Sequence, residues 1–207
     1  MTKINAVIFD IGNVLIEWQP ERFFDSVIGA DRRRAMFAAI DLHGINDKVD
    51  RGENFRDTIV AAADANPEWH AEVLMWHDRW IEMAAPVIDK SVRVLRALRT
   101  AQVPVFALSN FGIQTFDIAK PVYPFLTEFD RSYISGHMSV IKPDAEIYQM
   151  VEDDCRLDPA TLLFTDDRID NITAARARGW QTHVFTGPDP WADRLVTEGL
   201  LTAENAQ

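Results

Sequence analysis

A short apolar run near the amino terminus constrains the fold of this chain more than any other feature. Residues 4–9 (INAVIF) are rich in β-branched side chains, and Asp10, Gly12 and Asn13 follow. An apolar run of this length that ends at a turn signal predicts a buried strand of a parallel sheet. Open α/β sheets bind ligands at the carboxyl ends of such strands, so we expect Asp10 to face a crevice.

The rest of the chain largely repeats this pattern of apolar runs between amphipathic stretches. Further strands are predicted at residues 103–108, 132–135, 161–165 and 181–185, and helices at residues 87–101, 113–119, 144–153, 169–177 and 190–198. Asp144 is expected to cap the third of these helices with its side chain. Strands that alternate with helices indicate an α/β fold with a Rossmann-like parallel sheet flanked by helices.

Residues 17–85 interrupt the alternation. The segment is charged, rich in tryptophan and free of clear strand runs, and helices are predicted from Pro20, over 32–40, over 54–63 and from Asn66. Trp69, Trp76 and Trp80 recur at helical spacing, which is typical of core packing. We therefore predict a catalytic core formed by residues 1–16 and 86–207, and an inserted all-helical cap formed by residues 17–85.

Charge and cysteine content narrow the class of function. The 207 residues carry a formal net charge of −11, which argues against a nucleic-acid or anionic-membrane partner. An anionic substrate must therefore be held by local cations. The single cysteine, Cys155, excludes an internal disulfide, and no signal peptide or membrane span is evident. We expect a cytoplasmic protein, and the oligomeric state stays open.

Polar residues follow three of the predicted strands, and one lysine lies in a connecting loop. In chain order these are Asp10, then Ser109 with Asn110, then Lys142, then Asp166 with Asp167. Each signal alone is weak, because such residues often serve as turn residues or helix caps. Parallel strands end at one edge of a sheet, however, so we expect these side chains to lie together.

These residue types suit phosphoryl transfer. The three carboxylates offer hard oxygen ligands with no histidine or cysteine nearby, which favours Mg²⁺ over zinc. Lys142 can balance Asp10 and a bound phosphate, while the Ser-Asn pair can donate hydrogen bonds to the transferring group. A carboxylate, a metal and donors are what an aspartyl-phosphate mechanism requires.

The motif order FDxGN, LSN, KP and DDxxxN resembles that of the haloacid dehalogenase superfamily, over nearly the whole chain. The inserted segment is similar to the family's cap, and Arg51-Gly52-Glu53 resembles a segment often found in such caps. The nearest likeness is to the sugar-phosphate phosphatase branch related to α-glucose-1-phosphatase. The resemblance implies a Mg²⁺-dependent phosphoric monoester hydrolase that acts on a small phosphorylated metabolite, with a sugar phosphate as one candidate.

The resemblance also implies a role for each matching residue. The nucleophile would be Asp10; the phosphate would be bound by Ser109, Asn110 and Lys142; and Mg²⁺ would be held by Asp10, the Gly12 carbonyl, Asp166 and Asp167, with Asn171 ordering the site. Which residue of the acidic pair binds the metal directly stays open.

Gly12 departs from the family pattern. Most phosphatases of the family carry a second aspartate at that position, which acts as general acid and base, and loss of such a group costs about 10²–10⁴ in rate. Asn13 is no useful proton donor, and Glu17 lies too far along the chain. An anomeric hydroxyl is a better leaving group than a plain alcohol, so a sugar 1-phosphate would suit this site.

Two alternatives remain open at this point. The 2-haloacid dehalogenases of the superfamily also lack the second carboxylate, because a halide leaves without a proton, and they use no metal. The pair Asp166 and Asp167 weighs against that reaction, since a metal-free attack on carbon gains nothing from extra carboxylates. The other alternative is a catalytically weak member of the fold that binds a metabolite or a partner protein.

Overall fold

The computed structural model of the chain describes residues 3–206, which contain a five-stranded parallel sheet. Its strands are β1 (Ala6–Phe9), β2 (Val105–Ser109), β3 (Arg131–Ile134), β4 (Leu162–Asp166) and β5 (Gln181–Val184). They are ordered β3-β2-β1-β4-β5 across the sheet. The predicted α/β fold with a Rossmann-like sheet is therefore confirmed.

The first strand lies at the centre of the sheet, at the point where the winding changes direction. Phe9 pairs with Ala107 of β2 on one side and with Thr165 of β4 on the other. The Asp10 backbone N–H donates to the Thr165 carbonyl at 3.0 Å, so Asp10 continues the strand. Three strands thus end side by side, at the switch point where doubly wound sheets hold their ligands.

Both faces of β1 are buried, which explains its continuous apolar sequence. Side chains alternate between the two faces of a strand. Val7 and Phe9 belong to one hydrophobic cluster, where the Phe9 ring meets the Trp191 ring edge-on at 5.6 Å between centroids. Ile8 belongs to the second cluster, together with Tyr148. Helices therefore cover the sheet on both sides.

Helices account for most of the remaining described chain. Those between β1 and β2 are α1 (Pro20–Ile28), α2 (Ala30–Ala39), α3 (Leu42–Asp50), α4 (Phe55–Ala65), α5 (His70–Asp78), α6 (Trp80–Met83) and α7 (Asp89–Thr100). Those after β2 are α8 (Ile113–Val122), α9 (Ser135–Met138), α10 (Ala145–Cys155), α11 (Ile169–Ala177) and α12 (Pro188–Thr197). Within residues 3–206, none of these helices has the length and apolar character needed to span a bilayer.

Helices α1 to α6 fall in the segment predicted to be a cap, which is called the cap below, and they pack around their aromatic side chains. Trp76 is fully buried, and its ring lies 5.9 Å from that of Trp18 and 6.1 Å from that of Phe24, measured between centroids. Trp69 and Trp80 are buried as well. The prediction that the tryptophan stripe forms core packing is confirmed.

Two features of the structure differ from the sequence-based expectations. Helix α3 is not predicted by the sequence pattern, because the stretch LHGINDKVD is polar and contains Gly44. Its start is stabilised by Asp41, whose side chain accepts a hydrogen bond from the Gly44 N–H at 2.9 Å. The prediction that the Asp144 side chain caps α10 is wrong: that carboxylate pairs with Arg51 at 2.9 Å and makes no capping hydrogen bond.

Candidate active site

Asp10 is the residue around which the site is built. The residue is 7% exposed, and one carboxyl oxygen, Oδ1, is held by three donors. The Ile11 N–H and the Ser109 hydroxyl each donate to Oδ1 at 2.7 Å, and Lys142 Nζ lies 2.9 Å from it. Within the described chain no hydrogen bond reaches Oδ2. The carboxyl is therefore fixed through one oxygen while the other stays available.

Lys142 joins the ends of three strands. Its buried ammonium donates to the Leu108 carbonyl at 2.9 Å and to Asp166 Oδ2 at 2.6 Å, in addition to its contact with Asp10. Burial disfavours the ammonium, but the two carboxylates outweigh this cost and hold the pKa of Lys142 above its usual value. Lys142 is therefore charged throughout the physiological pH range.

Asn110 braces the loop that carries this lysine. Its side-chain carbonyl accepts from the Lys142 N–H at 2.7 Å, and its side-chain amide donates to the Lys142 carbonyl at 2.9 Å. The side chain predicted to bind phosphate is thus engaged with the backbone of Lys142. Asn110 still lines the cavity, so in this structure it positions the lysine, whereas the Ser109 hydroxyl points to Asp10.

The two neighbouring acidic residues have different surroundings. Asp166 is fully buried, and both of its oxygens accept hydrogen bonds, from Lys142 and the Arg168 N–H at 2.6 and 2.8 Å and from the Asn171 amide at 3.0 Å. Asp167 lines the cavity and accepts one hydrogen bond at Oδ2, from the Asn13 amide at 3.1 Å. Asp166 therefore anchors its neighbours, and Asp167 has the freer carboxylate.

The charges at this edge are suited to a divalent cation. One oxygen from each of Asp10, Asp166 and Asp167 lies within 4.8 Å of the others, around a single ammonium. Burial, opposed by Lys142 but reinforced by the two neighbouring carboxylates, raises the pKa of Asp10 to about 7. Burial and the charge of Asp166 also raise the pKa of Asp167. Hard oxygen ligands that repel one another in this way match the preferences of Mg²⁺.

The structure brings the predicted site residues to one place. A cavity of about 360 Å³ is lined by all of them except Asp166, which lies directly beneath: Asp10, Gly12, Ser109, Asn110, Lys142, Asp167 and Asn171. The Oδ1 atom of Asn171 is buried and has no hydrogen-bond partner, while its amide group holds Asp166. The cavity lining contains one further cation, Arg168, which is paired with Asp170 at 2.6 Å.

Residues of the cap line the opposite side of the cavity. The sequence pattern does not predict most of them as site residues. Helix α3 contributes His43, Asn46, Asp47 and Asp50. Trp18, Trp80 and Phe111, called the aromatic wall below, form an apolar side; the Trp80 ring lies 5.7 Å from that of Trp18 and 5.4 Å from that of Phe111. Two local signals could have indicated α3: Asp41 as its N-cap, and the helical spacing of Leu42, Ile45 and Val49.

A family model described as haloacid dehalogenase-like hydrolase matches residues 4–179 of the chain. Among curated proteins, drimenol cyclase drtB of Aspergillus calidoustus is 23% identical over 192 residues, which cover 90% of this chain and 35% of that protein. The chain thus spans about a third of that relative's length. Sesquiterpene phosphatase astK of Aspergillus oryzae is 22% identical over 178 residues, covering 86% of this chain and 88% of that protein.

Solved structures share the fold. A predicted HAD-like family hydrolase from Porphyromonas gingivalis superposes with a TM-score of 0.73 at 21% identity, covering 95% of this chain and 98% of that one. A HAD family enzyme from Bacteroides thetaiotaomicron, in complex with magnesium and inorganic phosphate, gives 0.60 at 22% identity, covering 89% and 95%. An L-2-haloacid dehalogenase from Xanthobacter autotrophicus gives 0.60 at 15% identity, covering 98% and 86%.

Proposed function

The chain belongs to the haloacid dehalogenase-like hydrolases, and we propose that it is a Mg²⁺-dependent phosphatase that acts through a phospho-aspartate on Asp10. One observation carries this proposal. Three carboxylates and one buried ammonium meet at the end of β1, and one of these carboxylates keeps an oxygen free for attack. A relative whose name describes a phosphatase and a neighbour bound to magnesium and phosphate support the same reaction.

The carboxylates of Asp10 and Asp167, together with the Gly12 carbonyl, would hold Mg²⁺, with Asp166 behind them and Asn171 ordering Asp166. The ion, when bound, neutralises phosphoryl oxygens and orients the phosphate. Asp166 is assigned the supporting position because its oxygens already accept hydrogen bonds from the Arg168 N–H, the Asn171 amide and Lys142.

Each of the remaining roles in the reaction is assigned to a residue of the protein. Asp10 attacks phosphorus with the oxygen that no described residue holds, and forms the aspartyl phosphate. The Ser109 hydroxyl, whose one proton goes to the other Asp10 oxygen in this structure, would turn to donate to a phosphoryl oxygen when the phosphate binds. Lys142 balances the phosphoryl charge from its position beside the same Asp10 oxygen. Asn110 keeps the lysine in place through its paired hydrogen bonds with the Lys142 backbone. Water then attacks phosphorus and releases Asp10.

The cavity favours a substrate with one phosphate and a compact organic part. Of its two cations, Lys142 is assigned to the transferring phosphoryl group and Arg168 is paired with Asp170, so a second phosphate would find no free cation in the described lining. The aromatic wall offers a flat apolar surface to the organic part. A sugar phosphate, as in the α-glucose-1-phosphatase-like branch, is our first candidate, and a phosphorylated isoprenoid alcohol is the second, favoured by the sesquiterpene phosphatase relative.

The test is phosphate release from a panel of phosphorylated metabolites with and without Mg²⁺. We expect turnover that depends on Mg²⁺ and is lost in Asp10→Asn by about 10⁴-fold or more, while Asp189→Asn, an exposed carboxylate on α12, serves as the matched control. Equal turnover by the wild type and Asp10→Asn would refute catalysis at this site and favour a binding role.

Two comparisons refine the result. Halide release from 2-chloropropionate that survives chelation would replace the phosphatase proposal with the dehalogenase alternative. Glucose 1-phosphate is expected to be hydrolysed faster than glucose 6-phosphate, because its leaving group needs less protonation, and a clear preference for the 6-phosphate would contradict the sugar 1-phosphate proposal. A cytoplasmic location stays a prediction that fractionation of the source cells can test.

A further inference from the structure

Among residues 3–206, the sheet side of the cavity offers no carboxyl that is positioned to protonate a leaving group. The backbone of Gly12 has open space around it, and a Cβ atom added there would meet no other atom within 4 Å. The amide of Asn13 donates to Asp167, and its carbonyl accepts from the Trp18 N–H at 2.9 Å. The expectation that Glu17 lies too far along the chain is wrong, because Glu17 lines the cavity; its carboxylate, however, is paired with Arg22 at 2.7 Å. A donor without a counter-ion must therefore come from elsewhere in the cap.

Asp50, the last residue of α3, lies on that side. It lines the same cavity as Asp10, and its residue is 8% exposed. Its carboxyl accepts hydrogen bonds from the Asn46 amide at 2.9 Å and from the Gly112 N–H, both of which are neutral groups. No lysine, arginine or histidine of residues 3–206 forms an ion pair with it. A buried carboxyl without a counter-ion keeps its proton.

The electrostatic surroundings point the same way. Burial, with the charges of Asp47 on the same helix and Asp10 on the sheet, raises the pKa of the Asp50 carboxyl to about 8. The hydrogen bonds from Gly112 and Asn46 oppose this rise without cancelling it. The carboxyl is therefore protonated at neutral pH.

Asp50 is also fixed relative to the sheet, although it belongs to the cap. The Ser135 hydroxyl donates to the Asp50 carbonyl at 2.6 Å and accepts from the Phe111 N–H at 2.8 Å. The backbones meet without room for side chains, because a Cβ at Gly112 would lie 2.6 Å from a Val49 methyl carbon. The end of α3 is thus fastened to the loop that follows Ser109.

We propose that Asp50 is the general acid of the reaction, in the role that a carboxyl at position 12 serves in most phosphatases of the family. The inference rests on the proposed phosphatase function. As Asp10 forms its bond to phosphorus, the bond from phosphorus to the alcohol oxygen breaks and that oxygen takes the Asp50 proton. In the second step water attacks phosphorus, its proton passes to the Asp50 carboxylate, and the bond between phosphorus and Asp10 breaks.

The experiment compares two esters of similar size with different leaving groups, p-nitrophenyl phosphate and 2-phenylethyl phosphate, in the presence of Mg²⁺. Asp50→Asn is expected to lose about 10²-fold in kcat/KM on the alkyl ester and less than about 3-fold on the nitrophenyl ester, whose phenolate leaves unprotonated. The ratio kcat/KM is compared because it reports the first step, whereas hydrolysis of the aspartyl phosphate is common to both esters. Asp64→Asn, an exposed cap carboxylate outside the cavity, is expected to leave both rates unchanged. An equal loss on both esters, or no loss on the alkyl ester, would overturn the proposal.

Gly12→Asp provides a second test, and its wild-type arm does not depend on the folding of an Asp50 variant. In the Asp50→Asn background it should restore at least about 10-fold of the lost alkyl-ester rate, because it supplies a carboxyl in open space beside Asp10. In the wild type it should change the ratio of the two rates by less than about 3-fold. A rise of about 10²-fold on the alkyl ester alone would show that the wild type lacks a donor and would overturn the proposal. If the wild type releases phosphate from neither ester, the proposed function itself fails.

Discussion

The two sides of the cavity differ in how their charges are compensated. At the sheet edge Asp10 and Asp166 share the ammonium of Lys142, and backbone N–H groups complete the network. On the cap side Asp50 is buried against an amide and a backbone N–H, in the same cavity as the aromatic wall, and has no counter-ion in the part of the chain that the structure describes. The sheet edge is therefore suited to binding and attacking an anion, and the cap side to contacting a neutral organic group and holding a proton.

The two sides of the cavity also differ in the contacts that hold their residues in place. The sheet residues follow strands that are paired on both sides, so their positions are set by backbone hydrogen bonds. Asp50 is held by the Ser135 bridge and by a close backbone contact at Gly112. A change in the cap is therefore expected to alter the choice of substrate and the proton transfer, while a change at the sheet edge is expected to abolish the reaction.

Replacement of the central cation should have the largest effect. Lys142→Met leaves the buried carboxylates of Asp10 and Asp166 without their counter-ion, and breaking a buried pair typically costs about 3–5 kcal/mol of unfolding free energy. Activity should fall by at least about 10²-fold, because the phosphoryl oxygens lose their cation. Urea unfolding and phosphate release measure the two effects.

Lys120→Met, which removes an exposed pair with Asp117, is the control and should stay within about 0.5 kcal/mol. A Lys142→Met protein as stable and active as this control would remove the contrast between the two sides of the cavity.

Stabilisation by Mg²⁺ should depend on carboxylates of the sheet edge and not on those of the cap. At a concentration of about 100 times its dissociation constant, Mg²⁺ should stabilise the fold by about 2.7 kcal/mol, since it binds the folded carboxylate cluster. Thermal unfolding with Mg²⁺ and with EDTA measures the shift, which should persist in Asp50→Asn and vanish in Asp167→Asn. An equal Mg²⁺ shift in Asp167→Asn and the wild type would place the ion elsewhere.

The protonated state of Asp50 predicts a dependence of stability on pH. Its pKa is raised from 3.8 to about 8 in the folded protein, so its contribution to stability is complete below about pH 4 and is lost as pH rises to about 8. An asparagine does not titrate. The free energy of unfolding of Asp50→Asn, relative to that of the wild type, should therefore rise by more than about 1.4 kcal/mol between pH 5 and pH 9. Urea unfolding at both pH values measures this difference, and a gap that does not change with pH would contradict it.

Substitution of a ring of the aromatic wall should have the smallest effect on activity, and this effect should be limited to substrate binding. Trp18→Leu removes one ring of the wall and should raise KM for 2-phenylethyl phosphate about 5-fold with kcat little changed, since the lost contact is made equally before and during reaction. Trp69→Leu, a buried cap tryptophan outside the cavity, should lower stability without this change in KM. A fall in kcat with an unchanged KM for Trp18→Leu would assign the wall a different role.

The sequence by itself determined the sheet and its catalytic edge, because both depend on local patterns. Buried strands require continuous apolar runs, and the residue that ends each run falls at a known edge, which is why Asp10, Ser109 and Asp166 could be placed together in advance. The same pattern does not show how their hydrogen bonds are shared. The engagement of the Asn110 side chain with Lys142, and the different surroundings of Asp166 and Asp167, are visible only in the folded chain.

Only the tertiary structure decided what faces that edge. Helix α3 is polar apart from Leu42, Ile45 and Val49, and Asp50 lies 40 positions from Asp10 along the chain, among charged residues that are typical of a solvated surface. Its burial comes from the docking of the cap onto the loop after β2, through Gly112 and Ser135. Such a contact depends on the shapes of two surfaces that are remote in sequence, and no local periodicity encodes it.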